Sequence, residues 1–299
     1  MIQYLHDWFW TYLWKPLPDM PFGDWMDSFI RWLRTEWSGL FKGIEAFLET
    51  IYFGLADSLL WLPSGVMILL FAGIAWLAKG WRLAAVVGAG MFIVGWTPYW
   101  EATMETLSMA LVAAALATAL AIPVGILASE NRTMSAVTRP VLDFMQTLPA
   151  FVYLLPVVML FGIGETPGII ATIVFCMPPG VRLTELGLRQ VDKEVVEAGQ
   201  AFGASPGRIL VRIKLPLALP TIMAGLNQVI MLALSMVVIA GMVGGGGLGS
   251  AIVAALGRVE IAQGFNAGIA VVFLAIFLDR VMQGLADRTP VAKAAAMTR

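Results

Sequence analysis

The stretch Glu197–Pro216, EAGQAFGASPGRILVRIKLP, decides the fold. It is polar and punctuated by Gly and Pro, and long apolar runs flank it on both sides. A run of roughly 20 apolar residues is enough to cross a bilayer. A structured hydrophilic segment between such runs is a surface built at one face of a membrane. Composition agrees. Of the 299 residues 59% are hydrophobic and 13% are charged, and the mean hydropathy is +0.83. A soluble domain of this length carries about 25% charged residues. The expected class is an all-α, polytopic helical membrane protein. A net charge of −1 with no basic patch excludes a nucleic-acid partner from the expected readings.

Residues 192–202 suit a short helix, with Val195, Gly199 and Phe202 on one side and Lys193, Glu194, Glu197 and Gln200 elsewhere. Gly203 can stop it in a left-handed conformation. Ser205-Pro206 reads as an N-cap with proline at the first helical position. A second short helix is expected to end before Pro216, and Pro220 opens the next span. Helices laid on a partner groove are a common recognition mode. Ala201, Gly203 and Ala204 would allow close approach, and Phe202 would be the apolar knob. An ordinary connecting loop with two interfacial helices fits the spacing equally well.

Outward from this loop, seven spans are expected: 60–78, 83–99, 104–128, 144–162, 167–185, 219–243 and 263–284. Pro178-Pro179 removes two backbone donors, so the fifth should kink or break there. Membrane helices tolerate such a break where protein or water satisfies the freed carbonyls, which places it toward the bundle interior or a solute path. Residues 1–58 hold six of the 11 tryptophans: Trp8, Trp10, Trp14, Trp25, Trp32 and Trp37. From Asp24 onward the apolar residues recur at helical spacing, with Asp24 as cap. This reads as an amphipathic helix against membrane lipid at the interface. An aromatic cage for a quaternary ammonium ion is the alternative.

Lys and Arg set the orientation. With the C-terminus inside, Lys79, Arg82, Arg132, Arg139, Arg182, Arg189 and the later cations except Arg258 are all cytoplasmic, Lys293 and Arg299 among them. The outer loops then hold Glu101, Glu105, Glu165 and Glu260. The expected topology is N-terminus outside, C-terminus cytoplasmic, with the Glu197 loop facing the cytoplasm.

Other chemistries find little support. Cys176 is the single cysteine and His6 the single histidine, so neither a disulfide nor a metal site is expected. Cys176 reads as a small buried residue and His6 as an interfacial one. The N-terminus lacks the pattern of a cleaved signal peptide. The spans carry no Asp, Glu, Lys or Arg near their centres, as ion-coupled transport would require. No G-x4-G-K-[ST] is present, so nucleotide energy would come from another subunit.

The loop also resembles the signature of ABC importer permeases, E-A-A-x3-G-x9-I-x-L-P, at Glu197, Ala198, Gly203, Ile213, Leu215 and Pro216. Gly199 departs from it, standing where Ala is usual. Residues 144–190 and 202–249 are similar to the permeases of glycine betaine/proline betaine importers, and the likeness runs over roughly residues 100–285. The N-terminal segment resembles that family only loosely. The resemblance implies a type I ABC importer in the bacterial inner (plasma) membrane. Two permease copies, most simply a homodimer, would pair with two cytoplasmic ATPases that hold the ATP and Mg, leaving no cofactor in this chain. A separate periplasmic binding protein would deliver the solute, since no long soluble stretch follows residue 285. The resemblance assigns Glu197, Ala198, Gly199, Phe202, Gly203 and Ala204 to ATPase docking, and Ile213, Leu215 and Pro216 to the return to the membrane.

The expected organisation is a segment 1–58, two peripheral helices in 59–99, a permease core 100–285 containing the coupling loop 190–218, and a tail 286–299. Polar candidates for the path are Gln146, Thr147, Asn227, Gln228 and Ser235, with Pro178 and Pro179 at the expected break. Interhelical hydrogen bonding explains these polar residues equally well. Gly244, Gly245, Gly246 and Gly247 are a hinge or gate at the outer face, or a plain exposed loop. The leading solute is glycine betaine or proline betaine, with choline, carnitine and trimethylamine N-oxide as alternatives. A passive osmolyte channel would leave the Glu197–Pro216 loop without purpose. A membrane enzyme lacks converging nucleophiles, acids or metal ligands within the spans.

Overall fold

The computed structural model describes residues 2–8 and 21–288, and all its regular elements there are helical. Trp10, Trp14, Lys293, Arg299 and most of the tail 286–299 lie outside the described residues. The helices are α1 Ile2–Trp8, α2 Phe22–Glu36, α3 Ser38–Trp61, α4 Ser64–Lys79, α5 Trp81–Gly95, α6 Trp100–Glu130 and α7 Arg132–Thr147. They continue with α8 Leu154–Phe161, α9 Glu165–Arg189, α10 Lys193–Ala201, α11 Pro206–Ile209, α12 Leu215–Ala240, α13 Gly247–Arg258 and α14 Ile261–Asp287.

Among the described residues four segments are long and apolar enough to cross a membrane: α6, α9, the continuous run Pro206–Val243, and α14. The count rises to six if each of two bent pairs is one span. The second expected span, 83–99, is α5, whose 15 residues reach about 22 Å at 1.5 Å per residue. That is short of a hydrocarbon core of roughly 30 Å.

The core is α9 held between α6 and α12. Apolar side chains gain little by leaving lipid for protein, so these helices associate through close backbone approach. A β-carbon on Gly180 would lie 2.9 Å from Ala121 Cβ and 3.0 Å from a Val229 methyl. One on Gly125 would meet Thr184 at 2.6 Å, and one on Gly225 would meet Leu183 at 2.9 Å. This packing explains why α9 does not break. Of the expected kink or break, the break is absent: Pro178 and Pro179 lie inside one continuous helix. Both prolines are buried, and the clamp from two neighbours outweighs two missing donors.

The break falls instead in the expected span 144–162. There α7 and the run Ala150–Phe161 meet at 108°. Leu148 is extended (φ −73°, ψ 133°) ahead of Pro149, because a proline ring pushes its predecessor out of the helical region. The Tyr153 hydroxyl donates to the Met145 carbonyl across the bend.

The N-terminal helix also differs from expectation. It starts at Phe22, not at a cap on Asp24, and it is interrupted at Trp37. Asp24 sits in the first turn, where its charge suits the positive helix end. The following α3 runs across residue 58 and meets α4 at 105°. It turns Leu48, Tyr52 and Ala56, spaced four apart, into the core. Trp25, Trp32 and Trp37 stay exposed along α2 and its end.

Candidate functional site

The Glu197 loop folds largely from local signals. Asp192 caps α10 by accepting from the Glu194 N–H at 2.9 Å. At the other end Ala204 N–H bonds Gly199 O at 3.1 Å, and Gly203 N–H bonds Gln200 O at 2.8 Å. With Gly203 at φ +77° this pair is a Schellman cap, in which the left-handed residue closes the last carbonyls. The cap leaves Phe202 93% exposed at the tip. A phenyl ring held out by a rigid cap has the form of a knob for a partner groove. Around Gly203 nothing lies within 4 Å of where a β-carbon would be.

Gly199 has a different neighbour. A β-carbon there would lie 2.6 Å from Ile213 Cδ1. The residue that departs from the family pattern therefore packs directly against the returning segment of the same motif. An Ala would favour the helix by about 1 kcal/mol but would have to displace the end of that isoleucine.

The return differs from expectation. The second short helix does not end before Pro216. Instead α11 passes through a π turn, Leu210–Lys214, straight into α12, with Pro216 in the first turn of α12. The helix is continuous here, so the absent Pro216 N–H removes one bond to the preceding turn, and the π turn stands directly before it. Ser205 occupies the cap position of α11 without a side-chain hydrogen bond. Lys214 Nζ reaches Glu130 at 2.7 Å, tying the return to the end of α6.

Beside the motif stands a network that the sequence reading missed. Glu185, whose side chain is 7% exposed, accepts from Ser135 Oγ (2.7 Å), Arg139 (3.1 Å) and Arg189 Nε (2.8 Å). Arg189 also donates to Ala128 O at 2.8 Å, and Arg182 pairs with Asp143. A carboxylate this buried is stable only while its cations and donors remain in place. The signal in the sequence was Glu185 between Arg182 and Arg189 near the end of α9.

The path candidates separate. Asn227 donates to Asp279 Oδ1 at 3.1 Å, and Asp279 also accepts from Gln283. Asn227 thus joins α12 to α14 through an acid in the last third of α14. Gln146, Thr147, Gln228 and Ser235 are exposed on α7 and α12. Ser235 and Thr147 turn their hydroxyls back on Met231 O and Phe144 O. Pro178 and Pro179 are packed inside and line no open surface.

Gly244–Gly247 is a packed turn and not a plain exposed loop. Gly244, Gly246 and Gly247 have φ of +82°, +67° and +60°, and Gly245 is buried. Gly247 N–H donates to Glu105 Oε2 at 2.9 Å, and Leu248 N–H donates to Thr106 Oγ1 at 2.8 Å. Two adjacent residues of α6 therefore cap the start of α13.

Among known proteins, the family described as "Binding-protein-dependent transport system inner membrane component" matches residues 121–289. The chain is 41% identical to the "Glycine betaine transport system permease protein OpuAB" of Bacillus subtilis, over 90% of this chain and 95% of that one. It is 42% identical to the "Glycine betaine/proline betaine transport system permease protein ProW" of Escherichia coli, over 89% of this chain and 75% of that one. Among solved structures, an inward-facing MetNI methionine ABC transporter aligns with TM-score 0.54 at 24% identity, covering 66% of this chain and 95% of that one. That likeness bears on the fold alone.

Proposed function

Because the chain belongs to the inner membrane components of binding-protein-dependent transport systems, we propose that it is the translocating subunit of an ATP-driven importer for a methylated ammonium solute. Glycine betaine or proline betaine is the first choice, by the relatives' names. In this reading two cytoplasmic ATPases, carrying the ATP and Mg, dock on α10, and a periplasmic binding protein delivers the solute. A second copy of this chain completes the path between the exposed faces that hold Gln146, Thr147, Gln228 and Ser235. Choline, carnitine and trimethylamine N-oxide are the competing solutes.

The observation that carries the docking reading is the Schellman-capped helix with Phe202 standing clear of its own chain. An aromatic side chain held out by a rigid cap is the kind of anchor that interfaces bury. Uptake of labelled glycine betaine tests the whole reading, using proteoliposomes that hold the permease, its ATPase and its binding protein. Uptake should require ATP, and choline or trimethylamine N-oxide in excess should compete less well than proline betaine. ATP-independent flux would select the channel reading. Stronger competition by choline or trimethylamine N-oxide would change the solute.

The proposed orientation is N-terminus outside and C-terminus cytoplasmic. It is supported by contacts that gather cations at one end, with Lys79 against Asp287, Lys214 against Glu130, and Arg139 and Arg189 on Glu185. Glu101, Glu105 and Glu165 begin α6 and α9 at the opposite end. Single cysteines at Trp25 and Phe202, in a Cys176→Ser background, give the check. An impermeant maleimide added to whole cells with a permeabilised outer membrane should label position 25 and spare position 202. The reverse pattern would invert the topology.

A further inference from the structure

The end of α4 and the last two turns of α14 meet the first half of α12 around a cavity of about 360 Å³. Lys79 ends α4 and Asp287 ends α14, so the cavity opens where both helices leave the bilayer. Trp76 and Trp81, on either side of Lys79 in the chain, are exposed, as indoles at headgroup level are. The walls are fixed in place. A β-carbon on Gly284 would lie 2.8 Å from the Ala78 carbonyl oxygen, so α4 and α14 are pressed together beside the cavity.

A relay of polar groups runs along it. Asn227 and Gln283 donate to Asp279, Gln283 accepts from Lys79 Nζ at 3.0 Å, and Lys79 stands 3.6 Å from Asp287 Oδ2. The charged end of this relay has capacity left. Lys79 is half-buried and carries three donors, of which Gln283 takes one. Asp287 is 72% exposed, and one of its oxygens meets Lys79 only loosely. Among the lining residues there is one cation, Lys79, and one anion, Asp287. That pair complements a ligand carrying one charge of each sign. An anionic headgroup would bring its charge beside Asp287 with nothing to offset it but a cation already paired. Met223 and Met282 supply the apolar part of the lining.

We propose that this cavity holds the headgroup of an ethanolamine phospholipid, with the phosphate on Lys79 and the primary ammonium on Asp287. The bilayer supplies the occupant at this depth. The N–H groups carry the recognition. A primary ammonium donates to the Asp287 carboxylate in charge-assisted bonds, whereas a trimethylated headgroup has the same charge and no donor. The inference goes beyond the transport reading and does not rest on it. Gln228 reaches the cavity from the exposed face of α12, so the lipid borders the face assigned to the path.

Native mass spectrometry of the full-chain permease with its ATPase gives the test. The probes are phosphatidylethanolamine and its mono-, di- and trimethylated forms, all with the same acyl chains. Affinity should fall with each added methyl, to about one tenth for the trimethylated lipid, the worth of one hydrogen bond to a charged group. Asp287→Ala, at an exposed position, should erase the preference. Lys79→Gln should weaken all the lipids alike, because each carries the same phosphate. Equal binding of the first and last lipids by the parent, or a preference that survives Asp287→Ala, would overturn the inference. Tighter binding of phosphatidylglycerol would also overturn it, by making the site one for anions. Glycerophosphoethanolamine, the same headgroup without chains, should fail to displace the lipid at equal concentration. Displacement would assign the cavity to a soluble phosphoamine instead. A Met223→Cys permease in the Cys176→Ser background that cross-links to a second copy would give the cavity to that copy and overturn the inference as well.

Discussion

Gly203→Val is expected to abolish ATP-driven uptake while the permease remains folded and in the membrane. Gly203 sits at φ +77° and closes the Schellman cap of α10. A left-handed backbone costs an L-residue roughly 1–2 kcal/mol, and a β-branched side chain adds to that. No atom of the chain lies within 4 Å of the new β-carbon, so the protein itself offers no clash. The strain is relieved locally, by unwinding the last turn of α10 and letting Phe202 leave its position. Truncating a central knob of an interface typically costs 2 kcal/mol or more. A loss of about 3 kcal/mol weakens association roughly 100-fold. Uptake should therefore fall below detection at ordinary ATPase concentration, with an unfolding temperature within a few degrees of the parent. Gly203→Asn separates the causes, since Asn tolerates this backbone region. Uptake near the parent's in Gly203→Asn, with none in Gly203→Val, would place the effect in the cap. Full uptake in Gly203→Val would remove α10 from the docking reading.

The parts of this protein written in local chemistry were legible in its sequence. Gly203, Ser205-Pro206 and the apolar run of α6 announce themselves within one or two turns. Prolines gave opposite outcomes. Pro149 breaks its segment because its ring pushes Leu148 out of the helical region, and the Met145 carbonyl it frees is taken by the Tyr153 hydroxyl. Pro178 and Pro179 do not break theirs, because Gly180 is pressed between Ala121 and Val229. No single-sequence pattern distinguishes these two cases, since the difference lies in neighbours distant in the chain. The same limit hid Glu185, whose partners on α7 lie about 50 positions away, and Glu105, which caps a helix 142 positions later. Asn227 was readable as polar in a span, but only Asp279 on another helix turns it from path candidate to interhelical tie.

The largest effect on stability is expected at Gly241, a position just outside the glycine run that the sequence singles out. It ends α12, where the chain doubles back through a short 3₁₀ turn to α13. A β-carbon on Gly241 would lie 2.1 Å from the carbonyl carbon of Gly249 and 2.3 Å from Ser250 N. One on Gly249 would lie 2.5 Å from Val238 O. The two segments thus touch backbone to backbone, and no side-chain rotation can make room. Gly241→Ala forces α13 away from α12, and α13 is also held by the Glu105 and Thr106 bonds to α6. Separation breaks those bonds or strains them. Overpacking alone costs roughly 1–3 kcal/mol, and each buried donor left unpaired adds about 1–3 kcal/mol. The expected total of about 4 kcal/mol is most of the margin of an ordinary domain. Gly241→Ala should therefore reach the membrane poorly and unfold in detergent well below the parent's temperature. Gly257→Ala is the control, because it adds the same methyl to α13 where nothing lies within 4 Å. Equal unfolding temperatures for Gly241→Ala, Gly257→Ala and the parent would show that α12 and α13 do not meet at this distance.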